Sequence, residues 1–454
     1  MPDDMTPSTD LAELCAAILD AARAAGADAA DALAIEGTST EIGVRAGALE
    51  KAERSEGLDL GLRVLLGQRQ ACVSTSDVRP DALRATAERA VAMAREAPVD
   101  PYVGLAAPEA QATDTDHARL ELFDPAGEPD PARLQDMALR AEAAALAVEG
   151  VAQVSETSAG YSRRSMFLAQ STGFAAGYAR SDVGLSCVPI AGSGTGMERD
   201  YDYDSRIHFA DLRDPEDIGR RAGERTVARL GARRPKTGRY PVLFDERISG
   251  SLIGHLVQAV NGSAVARGAS FLRDAEGQRI LPAGLTLTEE PHRARVAGSK
   301  LFDAEGLPTQ ARDLVRDGVL MGWTLDLATA RKLGRESTAN AARGPSAPPR
   351  PSVTNLALTQ GTDSPEELMA RMGTGLWVTS MIGSTINPNT GDYSRGASGI
   401  WVENGEPAYP VNEITLAGNL REMWLGMIAA NDARTHLGRV VPSLLVEGMT
   451  LAGD

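Results

Sequence analysis

Histidine and cysteine are scarce in this chain, and neither is spaced for the usual metal or nucleophile chemistry. Five histidines, at 117, 208, 255, 292 and 436, are spread over 454 residues, and no two fall within one helical turn of each other. That spacing excludes the paired-histidine helix of the common zinc hydrolases. Cys15, Cys72 and Cys187 are odd in number and far apart, which reads as reduced thiols and excludes a disulfide framework or zinc knuckle. Basic charge is also short: 46 Lys and Arg against 62 Asp and Glu leave a net charge of −16. So acidic a surface repels phosphate backbones and anionic lipid, so direct nucleic-acid binding is set aside. No apolar run reaches the roughly 18 residues that a membrane span needs, and MPDDMTPSTD at the N-terminus lacks a basic and apolar leader. The expected address is the cytoplasm, with no membrane partner.

What is present is patterned for an α+β protein. Leu11, Leu14, Cys15, Ile18 and Leu19 share one face of a helix that Ser8, Thr9 or Asp10 can cap. From Asp31 to Thr75, short stretches such as ALAIE, TEIGVRA, LDLGLRVLL and QACVST, separated by glycines, predict an antiparallel meander, followed by a helix from about Asp81 to Arg95. The order then repeats loosely. Asp130-Pro131 and Asp214-Pro215 each start a helix, with aspartate as cap and proline in the first turn, and strands fill the interval from Val151 to Phe209.

The stretch ARRPKTGRYP marks a boundary between an N-terminal domain, 1–231, and a strand-rich C-terminal domain, 240–454. Within the latter, a proline-rich linker at 342–352 reads as a semi-rigid surface crossing, and Ser364-Pro365-Glu366-Glu367 as a capping box. Asn404-Gly405 sits between two strand patterns, a strong hairpin signal. Leu420, Met423, Trp424, Met427 and Ile428 have helical spacing, and a last strand runs from about Ser443 to Leu451.

The common motifs for chemistry are missing. The chain has no G-x-x-x-x-G-K-[ST] and no G-x-S-x-G, and GSGTG at 192–196 reads as a loop of small residues. Asp200, Asp202 and Asp204 mimic the opening of a calcium loop, but Ser205 replaces its glycine and Asp211 its bidentate glutamate, so the expectation is acids along a solvated strand. His117, His208, His292 and His436 stand in polar contexts. His255 differs. In GSLIGHLVQAVNG it lies on the apolar face of a helix, three residues after Leu252 and seven after Ile248.

Several long stretches resemble the TldD/PmbA proteins, in particular the PmbA (TldE) branch. They are RYPVLFD with SGSLIGHLVQAV, GASFL at 268–272, STANAARGPSAPPRPSVTNLAL, and above all GDYSRGASGIWVENGEPAYPVNEITLAGNL at 391–420. The resemblance implies a two-domain α+β fold in which N-terminal helices with antiparallel meanders precede a strand-rich C-terminal domain. In that family a TldD-type subunit carries zinc on an H-E-x-x-x-H helix plus a later cysteine, and a TldE-type subunit lacks these ligands and pairs with it.

Laid on that motif, Gly250 replaces the first histidine, Ser251 replaces the glutamate, and only His255 matches; no cysteine follows Cys187. A catalytic zinc takes three protein ligands and a base for its water, so no catalytic or metal residue is expected here. His255 is expected as a packed vestige with one hydrogen bond. The resemblance thus implies a non-catalytic partner of a TldD-like zinc metallopeptidase acting on unstructured peptides, with zinc in the partner.

By the same resemblance, Asp392, Tyr393, Ser394, Arg395, Ser398 and the strand Ile400, Trp401, Val402 and Glu403 are candidates for a peptide-binding surface. Two other readings stay open: a stand-alone homodimer that holds peptide without cutting it, and an enzyme using, for instance, Asp392, Tyr393 or Arg395. The family's association with modulation of DNA gyrase implies contact with that enzyme rather than with DNA.

Overall fold

The computed structural model describes residues 9–454. The cap expected from Ser8, Thr9 or Asp10 lies outside the described side chains, but the helix it would start, Thr9–Ala24, is present. An antiparallel sheet follows. Its long strands, Ala29–Arg45, Ala48–Leu66, Val151–Gln170 and Ala175–Ala191, are flanked by Arg69–Thr75 at one edge and by Glu198–Arg199 and Asp202–Arg206 at the other. ALAIE and TEIGVRA, expected as separate strands, form one. Gly37 between them stays in register because strands hold it on both sides, opposite Gly57 and Arg164.

One face of this sheet carries the helices. Ala32, Ala34 and Ile42 alternate onto the same side of their strand. The first two pack with Thr9–Ala24 and the helix Pro80–Glu96; Ile42 packs with Pro131–Leu146 and Pro215–Val227. The last two helices start as their sequence predicts: Asp130 accepts from Ala132 N–H at 2.8 Å and Asp214 from Glu216 N–H at 2.9 Å. They cross closely at Gly219, where a Cβ would lie 1.9 Å from the Ala141 carbonyl oxygen. Leu33, on the opposite face, packs against Leu301 and Phe302 from the C-terminal half.

In that half, strands Glu406–Asn419, Asp392–Glu403, Gly375–Ile386, Gly238–Phe244 and Leu444–Ala452 pair in that order, and the first and last also pair through Thr415–Ala417, closing a ring. The helix Glu246–Ala259 packs Leu252, Ile253 and Leu256 into its core; each such burial contributes about 1.5–3 kcal/mol. Asn404 and Gly405 take φ of 53° and 82° in the hairpin turn, as their identity predicts. This turn is covered by its own chain, with Gly405 N–H donating to Gly373 O. The capping box at Ser364 is formed in full. The helix expected to reach Ile428 stops at Leu425, because Ile428 and Ala429 pair with Leu445 and Leu444 instead.

Two expectations change where the halves meet. The stretch at 342–352 is the tip of a short hairpin, Ala341–Ala342 with Arg350–Pro351, and its Arg343 is buried and ion-paired with Asp31 of the first sheet. Asp31 also takes Arg63 Nε at 2.8 Å. Beside them Glu305 is buried and accepts from Leu327 N–H at 2.8 Å. Burial first, and then the negative Asp303, push its carboxyl up to about 8, against the opposing pull of Arg63.

Asp200, Asp202 and Asp204 are likewise not solvated: each is at most 6% exposed. Asp200 accepts from Arg247 at 3.0 Å, Asp202 from Arg213 at 2.8 Å and Arg225 at 2.7 Å, and Asp204 from Arg206 at 2.9 Å, with His436 at 3.5 Å. Burial raises Asp204, but the hydrogen bonds from His436, Arg206 and Arg213 outweigh it and hold the carboxyl at about 2. Among the described residues no helix is long and apolar enough to cross a membrane.

Candidate functional site

Asp245 ends the strand Gly238–Phe244 and caps the next helix, accepting from Arg247 N–H at 3.1 Å. Ten residues on, that helix turns His255 toward Tyr393 on the strand Asp392–Glu403. The rings meet edge to face, 5.9 Å between centroids. Burial, and secondarily the Arg395 guanidinium, lower the imidazole to about 4, so it is neutral at pH 7. The expected hydrogen bond is absent. Both ring nitrogens are buried without a partner, as is Ser251 Oγ one turn earlier. Tyr393 is occupied elsewhere, donating to Met381 Sδ at 3.4 Å.

A neutral imidazole is a competent metal ligand, but a resident catalytic metal does not fit the residues around this one. Gly250 has no ligand atom, and the place its Cβ would take is empty to 4 Å. The cysteines lie in the N-terminal sheet and the helix packed on it. Among the described residues no three His, Cys, Asp or Glu side chains gather in a way that could hold a metal ion. With one ligand in place of three and no carboxylate base, the arrangement cannot activate a water.

A second feature lies on the neighbouring hairpin strand. Gly375–Ile386 pairs with Gly238–Phe244 only through Leu376–Val378, because the latter strand then turns into its helix. From Thr379 to Ile386 it pairs, among the described residues, on one side alone, with bulges after Val378 and Ile382, and Ile382 is 77% exposed. Unpaired strand groups of this kind accept an added strand. Ser380 borders a cleft of about 710 Å³ with Glu156, Val188 and Tyr201 of the first sheet. Trp377, Thr379 and Ile400 border another, about 390 Å³, with Arg221, Arg225 and Arg247. A larger groove, about 850 Å³ between the helices Thr9–Ala24 and Pro80–Glu96, lies far along the chain from these elements.

The residues expected to form a peptide surface are divided among several environments. Tyr393, Trp401 and Val402 are buried in the core, so they present nothing to a cavity. Asp392 is exposed but engaged, accepting from Thr390 Oγ1 at 2.6 Å and Asn419 Nδ2 at 3.2 Å. Ser394 and Arg395 are half-buried, and Arg395 Nε donates to Gly383 O at 2.7 Å. Ser398 is buried under Arg229, which donates to it at 2.9 Å; Ile400 lines the smaller cleft, and Glu403 is exposed beside the turn. The strand carrying these residues is central, paired on both sides. The free edge belongs to Thr379–Ile386, which residue identity did not mark, because edge position follows from strand order.

Comparison with known proteins covers most of the chain. Family profiles match in three blocks: PmbA/TldA metallopeptidase domain 1 over 30–94, central domain over 124–230 and C-terminal domain over 237–453. The chain is 37% identical over 432 residues to Metalloprotease PmbA of Escherichia coli O157:H7, covering 94% of this chain and 93% of that protein. It is 35% identical over 408 residues to a Metalloprotease PmbA homolog of Haemophilus influenzae, covering 89% and 88%. A crystal structure from Bacteroides thetaiotaomicron, described as a candidate modulator of DNA gyrase, superposes with a TM-score of 0.90 at 27% identity over 98% of this chain and all of that one. TldE from Thermococcus kodakarensis shares the fold, with a TM-score of 0.83 at 20% identity over 97% and 100%.

Proposed function

This chain belongs to the PmbA/TldD metallopeptidase family, and from that premise we propose that it is the non-catalytic partner of a TldD-like zinc subunit, which together degrade or process unstructured peptides in the cytoplasm. The observation that carries this reading is the environment of His255: a neutral imidazole whose motif neighbours are Gly250 and Ser251, with no further donor set nearby. Relatives named metalloproteases imply peptide hydrolysis; in this reading the zinc and its base come from the partner.

This chain's share is substrate placement. An extended peptide adds to the edge Thr379–Ile386, where main-chain hydrogen bonds give affinity without sequence demand. A folded protein has no such strand to offer, so it is spared.

Elemental analysis of the purified chain tests the carrying observation. Less than stoichiometric zinc after dialysis is the expected result. One zinc per chain, lost in His255→Ala, overturns the proposal and favours an enzyme with its own chemistry.

A further inference from the structure

The free edge Thr379–Ile386 begins where its parallel neighbour leaves it. Asp245 N–H donates to Val378 O at 3.0 Å, and the chain then turns into the helix Glu246–Ala259. The smaller cleft, about 390 Å³, opens at this point. Trp377 and Thr379 border it from the edge strand, Arg247 from the helix, and Arg221 and Arg225 from the helix Pro215–Val227 of the N-terminal half. A strand added to the edge therefore ends against this cleft.

Strand direction decides which end arrives. An antiparallel strand runs from Ile386 toward Thr379 and brings its C-terminal carboxylate; a parallel one brings its ammonium. The side chains favour the carboxylate. Arg221 and Arg225, four residues apart, share one face of their helix. Arg221 approaches Asp202 at 3.9 Å and makes no hydrogen bond among the described residues. Arg225 donates through Nη1 alone, to Asp202 at 2.7 Å and Tyr201 O at 3.5 Å, which leaves Nε and Nη2 without a partner there. Asp202 is shared further, accepting from Arg213 at 2.8 Å. Burial, and then the positive Arg247, lower the Arg225 guanidinium from its ordinary value, and an entering carboxylate opposes that shift.

The acids around the same cleft are engaged already. Asp200 and Asp245 each accept from Arg247 at 3.0 Å, Glu224 accepts from Arg220 at 2.7 Å, and Glu246 from Arg434 at 2.7 Å. What the cleft has in surplus is donors, to which the Thr379 hydroxyl, also unbonded among the described residues, adds one.

We propose that Arg221 and Arg225, with Thr379, form a subsite for the C-terminal carboxylate of an extended peptide that adds antiparallel to Thr379–Ile386. The inference rests on the proposed peptide edge, and it adds a demand on the end of the peptide rather than on its sequence. A planar guanidinium matches a carboxylate through two parallel bonds. A cleft of this size takes one terminal residue and not a folded surface, and Trp377 and Ile400 give that residue an apolar wall.

Fluorescence anisotropy on the full chain tests it. The probe is a short unstructured peptide free of Asp and Glu and labelled on a central side chain, supplied as the free acid, the C-terminal amide and the N-acetylated acid. The free acid is expected to bind about tenfold tighter than the amide, and acetylation to change nothing. Arg221→Gln, at a side chain 45% exposed, removes most of the difference between acid and amide. Arg371→Gln, at an exposed arginine outside the cleft, keeps it. Equal binding of acid and amide, or a difference that survives Arg221→Gln undiminished, overturns the subsite while leaving the edge reading in place. Sensitivity to acetylation instead of amidation overturns it in favour of a captured ammonium. Binding of none of the three peptides overturns the edge reading and the subsite with it.

Discussion

Replacing Glu305 by Gln makes the protein's stability less sensitive to pH between 6.5 and 8. The folded carboxyl is held up to about 8 against an ordinary value of 4.5, so between those values the folded state keeps a proton that the unfolded chain has released. The stability that Glu305 contributes is therefore fully present below about 4.5 and is lost as pH rises through the folded value. The full slope is about 1.4 kcal/mol per pH unit, and from 6.5 to 8 this accumulates to about 2 kcal/mol. The window is chosen because His117 and His255, both lowered to about 4 from 6.5, act in the opposite sense only below it. Glutamine keeps an acceptor for Leu327 N–H and removes the ionisation. Urea unfolding at intervals across this range, for both proteins, is the assay. The wild-type midpoint should fall with pH while that of Glu305→Gln stays nearly level; parallel profiles would refute the assignment of a proton to this seam.

Arg247→Met removes a guanidinium 5% exposed and leaves Asp200, 4% exposed, with Arg229 at 3.5 Å as its remaining cation beside the Tyr201 N–H at 2.8 Å; the expected loss is about 3–5 kcal/mol, read by chemical denaturation, and adding Asp200→Leu should recover most of it. His255→Leu removes two buried ring nitrogens without partners, so calorimetry at pH 7 should show no loss of melting temperature. Below pH 6.5 the same variant should lose less stability than wild type on acidification. There the unfolded ring takes up a proton that the folded ring, at about 4, refuses. A fall in melting temperature at pH 7 would mean that the imidazole has a partner after all.

Features settled by neighbouring residues were legible in the sequence. Asp130-Pro131 and Asp214-Pro215 start helices, Ser364 with Glu367 closes a capping box, and Asn404-Gly405 turns a hairpin, each through bonds or dihedrals within four residues. Features settled by distant residues were not. Asp200, Asp202 and Asp204 look solvated in isolation, and they are buried because Arg213, Arg225, Arg247 and His436 arrive from other elements. Helical spacing through Ile428 was overridden by a strand pairing with Leu445. The missing metal donors could be read directly, since a residue type is either there or not. Which side of a hairpin stays free, and that His255 finds no partner, depend on strand order and on packing.

Turnover of an unstructured peptide is the most direct test of the central claim that catalysis belongs to a pair and not to this chain. Assayed alone, the chain should leave the peptide intact. With a TldD-like subunit it should join a heteromer that cleaves the peptide and spares a tightly folded protein. That activity should vanish when the partner's zinc-site glutamate is replaced and persist in His255→Gln. Cleavage by this chain alone, unaffected by chelators and not raised by the partner, would contradict the account.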